Sequence, residues 1–223
     1  MTRKLKLCVA VAIAAAGISA FQGPAAEAHT PALFNSEVED PAISSRLDGT
    51  FAGEFHHDLE LLNLPLTCLE VSFKGGFKTK STTEISLAVE FGTFQCKYNG
   101  SSAKVEMKGC NYIFRANGDF AIGNKEGKEC SKEPIEVLAQ ECTFKLPPQT
   151  IKGALTYTNI LVGGVKEVTV ANKATAIEYS AEGAKCAGKG NFANGRFTQA
   201  RTILRAANSK GALTDFTWTA TVP

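Results

Sequence analysis

Apolar and polar residues alternate with period two along much of the chain. Ile85, Leu87, Val89 and Phe91 share one phase, and Ser86, Ala88 and Glu90 share the other. Phe216, Trp218, Ala220 and Val222 alternate with Thr217, Thr219 and Thr221, as do Leu69, Val71 and Phe73 with Glu70 and Ser72. Such alternation marks strands with one buried face. Asn99-Gly100, Asn117-Gly118, Gly163-Gly164 and Asn194-Gly195 punctuate these runs. Those pairs suit tight hairpin turns, because both central residues of a type I′ turn need positive φ. The pattern predicts roughly eleven to fourteen strands in an all-β, antiparallel β-sandwich, or in two sandwich-like halves in tandem. Residues 47–62 fit a helix face and a strand phase alike. Gly49, Gly53 and Pro65 weigh against the helix, so the reading there is mostly strand.

The first residues change the picture. Thr2-Arg3-Lys4-Leu5-Lys6 is a positive start, an apolar run follows to Phe21, and Ala26-Glu27-Ala28 supplies a small-x-small site. Residues 1–28 therefore read as a secretory signal peptide cut after Ala28. The apolar run is shorter than the roughly 20 residues that span a bilayer. The mature chain is expected to be secreted and soluble, with no membrane insertion after cleavage. Residues 1–28 hold three of the 24 Lys+Arg and one of the 22 Asp+Glu, so the mature part carries equal numbers of each sign. It lacks the positive excess that nucleic-acid binding draws on, and no nucleic-acid partner is expected.

The charges are unevenly placed. Between His29 and Glu70 eight acids face Arg46 alone, and between Gly183 and Pro223 six bases face Asp215 alone. Two readings follow: the ends attract each other within one fold, which is favoured, or molecules associate head to tail. Cleavage also leaves six of the seven cysteines: Cys68, Cys96, Cys110, Cys130, Cys142 and Cys186. An even number in an exported chain predicts three disulfides, which can be connected in about 15 ways.

An internal repeat narrows the connectivity. Cys68-Leu-Glu-Val-Ser-Phe73 is like Cys142-Thr-Phe-Lys-Leu146 as a strand that begins at a cysteine. Ala88-Val-Glu-Phe91 leads to Cys96 as Ala176-Ile-Glu-Tyr179 leads to Cys186, and an Asn-Gly follows each. Equivalent bridges would then be Cys68–Cys96 and Cys142–Cys186, which leaves Cys110–Cys130. The same division suggests β-rich halves at 29–125 and 126–223, with one continuous domain over 29–223 as the alternative.

Several stretches carry a resemblance. They are Lys108-Gly-Cys-Asn-Tyr-Ile-Phe114, Cys130, Cys142-Thr-Phe-Lys-Leu-Pro-Pro-Gln-Thr150, Leu155-Thr-Tyr-Thr-Asn159 and Ile177-Glu-Tyr179. In these the chain resembles a group of uncharacterised secreted, cysteine-containing β-rich proteins of high-GC Gram-positive soil bacteria. Ser131 follows Cys130 where such proteins tend to show proline. The resemblance implies export and a β-rich fold, and it carries no functional residues.

Catalytic motifs are scarce. The mature chain has three histidines, His29, His56 and His57, with no Gly-x-Ser-x-Gly elbow and no His-Glu-x-x-His. Adjacent histidines in a strand point to opposite faces, so His56 and His57 make a poor ligand pair. Cleavage after Ala28 would make His29 the N-terminus, and its amine and imidazole can chelate Cu(II). That resembles the copper site of lytic polysaccharide monooxygenases and of periplasmic copper carriers, with His56 or His57 as the distant second ligand. Glu90 and Glu178 hold matching places in the repeat and are the candidate carboxylate pair for a glycosidase-like hydrolase. Solvated surface is the plainer reading of both. Asn117-Gly-Asp119 lacks the acidic spacing of a calcium loop, and Trp218 shares its phase with core residues. The expectation is a noncatalytic extracellular or cell-surface binding module without a cofactor. Its partner would be an extracellular ligand or a cell-wall component. The alternatives are an N-terminal copper protein and, behind it, a secreted β-fold hydrolase.

Overall fold

The computed structural model describes residues 30–46, 58–69, 71–92, 96–124, 130 and 133–220, without the side chains of 45, 46 and 198–200. Residues 1–28, expected to be a signal peptide, and His29, His56 and His57 lie outside the described residues. The chain forms the expected all-β, antiparallel architecture stapled by three disulfides. Its sheets curl, one of them to full closure.

Strands cross repeatedly between a barrel and a half-barrel. After β1 (Leu33–Ser36), β2 (Ala42–Arg46) joins the half-barrel, while β3 (Asp58–Leu61) and β4 (Leu64–Cys68) join the barrel. β5 (Val71–Gly76) and β7 (Glu84–Phe91) belong to the half-barrel, with the short β6 (Ser81–Thr82) between them. β8 (Cys96–Tyr98) and β9 (Ser101–Glu106) return to the barrel, β10 (Asn111–Arg115) and β11 (Phe120–Gly123) to the half-barrel. β12 (Ile135–Ala139) and β13 (Cys142–Leu146) lie in the barrel. β14 (Gln149–Ile151), β15 (Leu155–Val162) and β16 (Val165–Asn172) lie in the half-barrel, and β17 (Ile177–Glu182) in the barrel. β18 (Gly190–Ala207) serves both, and β19 (Leu213–Thr214) and β20 (Phe216–Thr219) follow.

The barrel runs β9-β12-β13-β17-β18-β3-β4-β8 and back to β9, every pair antiparallel. Strand twist makes such closure natural, and eight strands leave an interior just wide enough for side chains. Leu61, Leu66, Val137, Phe144, Ile177 and Tyr179 are among the buried residues that fill it. The half-barrel runs β14-β11-β10-β7-β5-β2-β18-β16-β15. Its core is aromatic: Phe120 packs edge-on against Tyr112 and Phe197, at 5.1 and 5.7 Å between ring centroids.

A small sheet, β20-β1-β6, packs against the edge strand β15. Phe34 meets Tyr157 edge-on at 5.0 Å and stacks on Phe216 at 5.9 Å. Trp218 is part of this contact, as its phase predicted: its ring lies 5.4 Å from Tyr157 and its Nε1–H donates to the Ala116 carbonyl at 2.8 Å. The Asn159 side chain brackets Trp218, donating to its carbonyl and accepting from its N–H, both at 2.8 Å. No helix among the described residues is long and apolar enough to cross a membrane.

The disulfides join Cys68–Cys96, Cys110–Cys130 and Cys142–Cys186. This is the pairing that the repeat implies, yet the repeat's copies are not structurally equivalent. Cys68 ends β4 and faces Cys96 directly across β8, whereas Cys142 begins β13 and Cys186 lies in the loop after β17. One ion pair joins the acidic and basic ends within the molecule. β2 and β3 lie on the same edge of β18, and Arg196 bonds both oxygens of Glu60, at 3.0 and 3.2 Å.

Two of the four predicted turns have both central residues at positive φ: Asn99-Gly100 (48° and 79°) and Gly163-Gly164 (58° and 86°). Asn117-Gly118 sits in a longer turn in which only Gly118 has positive φ. Asn194-Gly195 is no turn at all. It lies inside β18 at a bulge, where Ile177 faces Gly195 and Tyr179 faces Phe192, so that β18 carries one extra residue. A Cβ on Gly195 would sit 3.0 Å from the Ile177 carbonyl oxygen, so this glycine serves close strand approach. The twenty strand segments among the described residues exceed the predicted number partly because some turns lack a turn-like sequence. Leu62-Asn63 joins β3 to β4 with φ of 53° and 59°, although leucine rarely adopts such angles.

Candidate binding face

On the outer face of the barrel, three strands bring polar residues into one row. Lys145 of β13 pairs with Ser180 of β17, and Ser180 pairs with Asn191 of β18. Buried Phe144, Leu146, Tyr179 and Ala181 hold the opposite phase inside, so the row faces outward by simple alternation. Glu178 lies two residues along β17 on the same phase. Pro134 and Pro147 flank this face where β12 begins and β13 ends, and Phe192 and Ala193 complete the lining. Together these residues bound an open concavity of about 570 Å³.

The supports beneath it are specific. The Tyr179 hydroxyl accepts the Leu62 N–H at 2.7 Å and donates to Asn194 Oδ1 at 2.9 Å. Phe192 stacks on the Tyr179 ring at 5.2 Å with an interplanar angle of 20°. Gln149 substitutes for a strand partner along β17, accepting the Glu178 N–H at 2.8 Å and donating to the Glu178 carbonyl at 2.9 Å. This explains Leu146-Pro-Pro-Gln149, which crosses from β13 to β14 and fastens the two sheets together. The Lys145 ammonium is paired with the Glu182 carboxylate. That hydrogen bond, with the attraction of the charges, raises the Lys145 pKa and keeps it cationic. Burial raises the Tyr179 hydroxyl pKa, which keeps it a neutral donor.

Chemically, this face offers hydrogen-bond donors and acceptors beside apolar rings. It presents no nucleophile paired with a base. Glu90 and Glu178 are not combined in one site: Glu90 lies on β7 of the half-barrel, bonded to Lys74 at 2.8 Å, and Glu178 lies on the barrel. Lys74 accordingly holds the Glu90 carboxyl below its ordinary pKa. Asp119 is used structurally, accepting the Gly153 N–H at 3.0 Å and tying two turns together. Among the described residues, no group of three or more His, Cys, Asp or Glu side chains could hold a metal ion. The copper candidates His29, His56 and His57 fall outside those residues.

A second concavity, of about 580 Å³, lies over β2, β5 and β7. Its floor includes Gly75 and Gly76, where a Cβ would strike the backbone of Ser86 and Pro41, so strand packing already accounts for them. Its two lysines, Lys74 and Lys78, are paired with Glu90 and Asp40. The row Lys145–Ser180–Asn191 escaped the sequence reading because it depends on register between strands distant along the chain. The one nearby signal, Asn194-Gly195, marks the bulge beside it. Comparison of the chain with protein-family models, curated proteins and solved structures finds no match.

Proposed function

We propose that this protein is exported, loses residues 1–28, and acts outside the cell as a noncatalytic binding module without inserting into a membrane. Its recognition surface is the outer face of the barrel around Lys145, Ser180 and Asn191. One observation carries the reading. The barrel interior is packed with its own side chains, while a concavity of about 570 Å³ with polar groups and apolar rings lies on rigid outer strands. Binding pockets commonly have this size and this mixed lining. Three formed disulfides and the positive, apolar, small-x-small N-terminus support the extracellular setting.

The test uses purified protein starting at His29, mixed with isolated bacterial cell walls and a panel of insoluble polysaccharides. Saturable binding to at least one material is expected. Absence of binding to every material would overturn the module reading.

A further inference from the structure

We infer that the barrel-face concavity takes an uncharged glycan segment, bound across the three strands rather than along them. The inference rests on the binding-module reading above and names the ligand class for that site.

Geometry comes first. Lys145, Ser180 and Asn191 are in register on adjacent antiparallel strands. Neighbouring strands lie about 4.8 Å apart, so the row spans about 10 Å. That length suits two linked sugar rings whose hydroxyls meet successive side chains. The row mixes an ammonium donor, a hydroxyl that both donates and accepts, and an amide that does both. Glu178 adds a solvent-facing carboxylate that accepts from hydroxyls. Pro134 and Pro147 present C–H and ring faces beside these groups, as the apolar face of a sugar requires.

Other ligand classes fit less well. An extended peptide that adds a strand needs a free sheet edge. β13, β17 and β18 are each paired on both sides in a closed barrel and offer none here. An anionic polymer needs uncompensated cations, but Lys145 is held by Glu182, and Glu136 and Glu133 add negative charge near it. Neutral, hydroxyl-rich chains remain.

The experiment uses protein starting at His29 and an array of neutral oligosaccharides built from glucose, xylose, mannose and N-acetylglucosamine. Sulfated and phosphate-containing polymers are included as anionic probes. Ser180→Val and Asn191→Ala are tested in parallel, with near-ultraviolet circular dichroism to confirm folding. Backbone amide shifts of the unaltered protein are followed during titration as a second measurement. Expected results are binding to a neutral probe, at least tenfold weaker binding by each variant, and shifts centred on Ser180 and Asn191. Unchanged affinity in both variants, with shifts elsewhere, would overturn the site while leaving the module reading intact. Preference for the anionic probes would overturn the ligand class alone. Cell-wall binding without binding to any array probe would also overturn the glycan assignment. Binding to neither would remove both readings.

Discussion

Replacing Tyr179 with phenylalanine removes one hydroxyl and leaves the ring that stacks on Phe192 and packs against Phe144. That hydroxyl is the acceptor for the Leu62 N–H at 2.7 Å. Leu62 has a φ of 53°, a conformation that leucine keeps only when its surroundings impose it. In Tyr179→Phe the partly buried N–H loses its acceptor. A buried donor left unsatisfied costs about 1–3 kcal/mol. The second bond, to the exposed side chain of Asn194, is readily replaced by water and adds little. For a chain of this length each kcal/mol shifts the melting temperature by about 2–4 °C, so the expected fall is about 2–12 °C. Guanidinium unfolding with the disulfides oxidised should show a lower midpoint at unchanged slope. Exchange of the Leu62 amide should speed by about 5- to 150-fold if local opening reports the lost bond. A melting temperature within about 1 °C of the unaltered protein, with unchanged Leu62 exchange, would refute the reasoning.

Three further outcomes are expected. Peptide mapping under non-reducing conditions should recover Cys68–Cys96, Cys110–Cys130 and Cys142–Cys186; a peptide linking Cys110 to Cys142 would contradict the fold. Gly195→Ala should cost about 1–3 kcal/mol by overpacking, because its Cβ would lie 3.0 Å from the Ile177 oxygen and 3.1 Å from the Ile177 Cβ; a neutral effect in denaturant titration would show that the bulge relaxes freely. Hydrogen bonds from Lys104 and Lys108 hold the Glu106 carboxyl at about 2, below its ordinary 4.5. Its contribution is therefore complete above about pH 4.5 and lost as pH falls toward 2. Glu106→Gln should flatten stability over that acid range, and an unchanged acid limb would exclude the mechanism.

Local features of the fold were legible where one residue's chemistry decides the outcome. Ile85, Leu87 and Val89 are buried on the phase that alternation assigned, and two glycine-containing turns adopt the expected angles. Features set by long-range register were not. Alternation shows that a strand has a buried face, but it does not say whether the sheet closes on itself. Asn194-Gly195 misled because the same dipeptide that suits a turn also permits a bulge, and only the partner strand distinguishes them. Leu62 was silent because tertiary hydrogen bonds, rather than its own preference, hold its conformation. The disulfide pairing came out as the repeat implied, although Cys68 and Cys142 occupy opposite ends of their strands. The candidate face was illegible for the same reason as barrel closure: Lys145, Ser180 and Asn191 have no common sequence pattern.

The 18-residue strand β18 has a consequence for the order in which the molecule can be built. Its first part closes the barrel against β3, and its second part joins the two wings of the half-barrel, between β2 and β16. The Arg196–Glu60 contact closes a loop of 136 residues. A chain emerging amino-terminus first, from a ribosome or a translocon, holds most of its strands before the one that completes either sheet is available. Pairings this distant along the chain form slowly, and open sheet edges invite association while they wait. The last sixth or so of the chain therefore acts as a keystone, and a truncation before Gly190 would open the barrel and split the half-barrel at once.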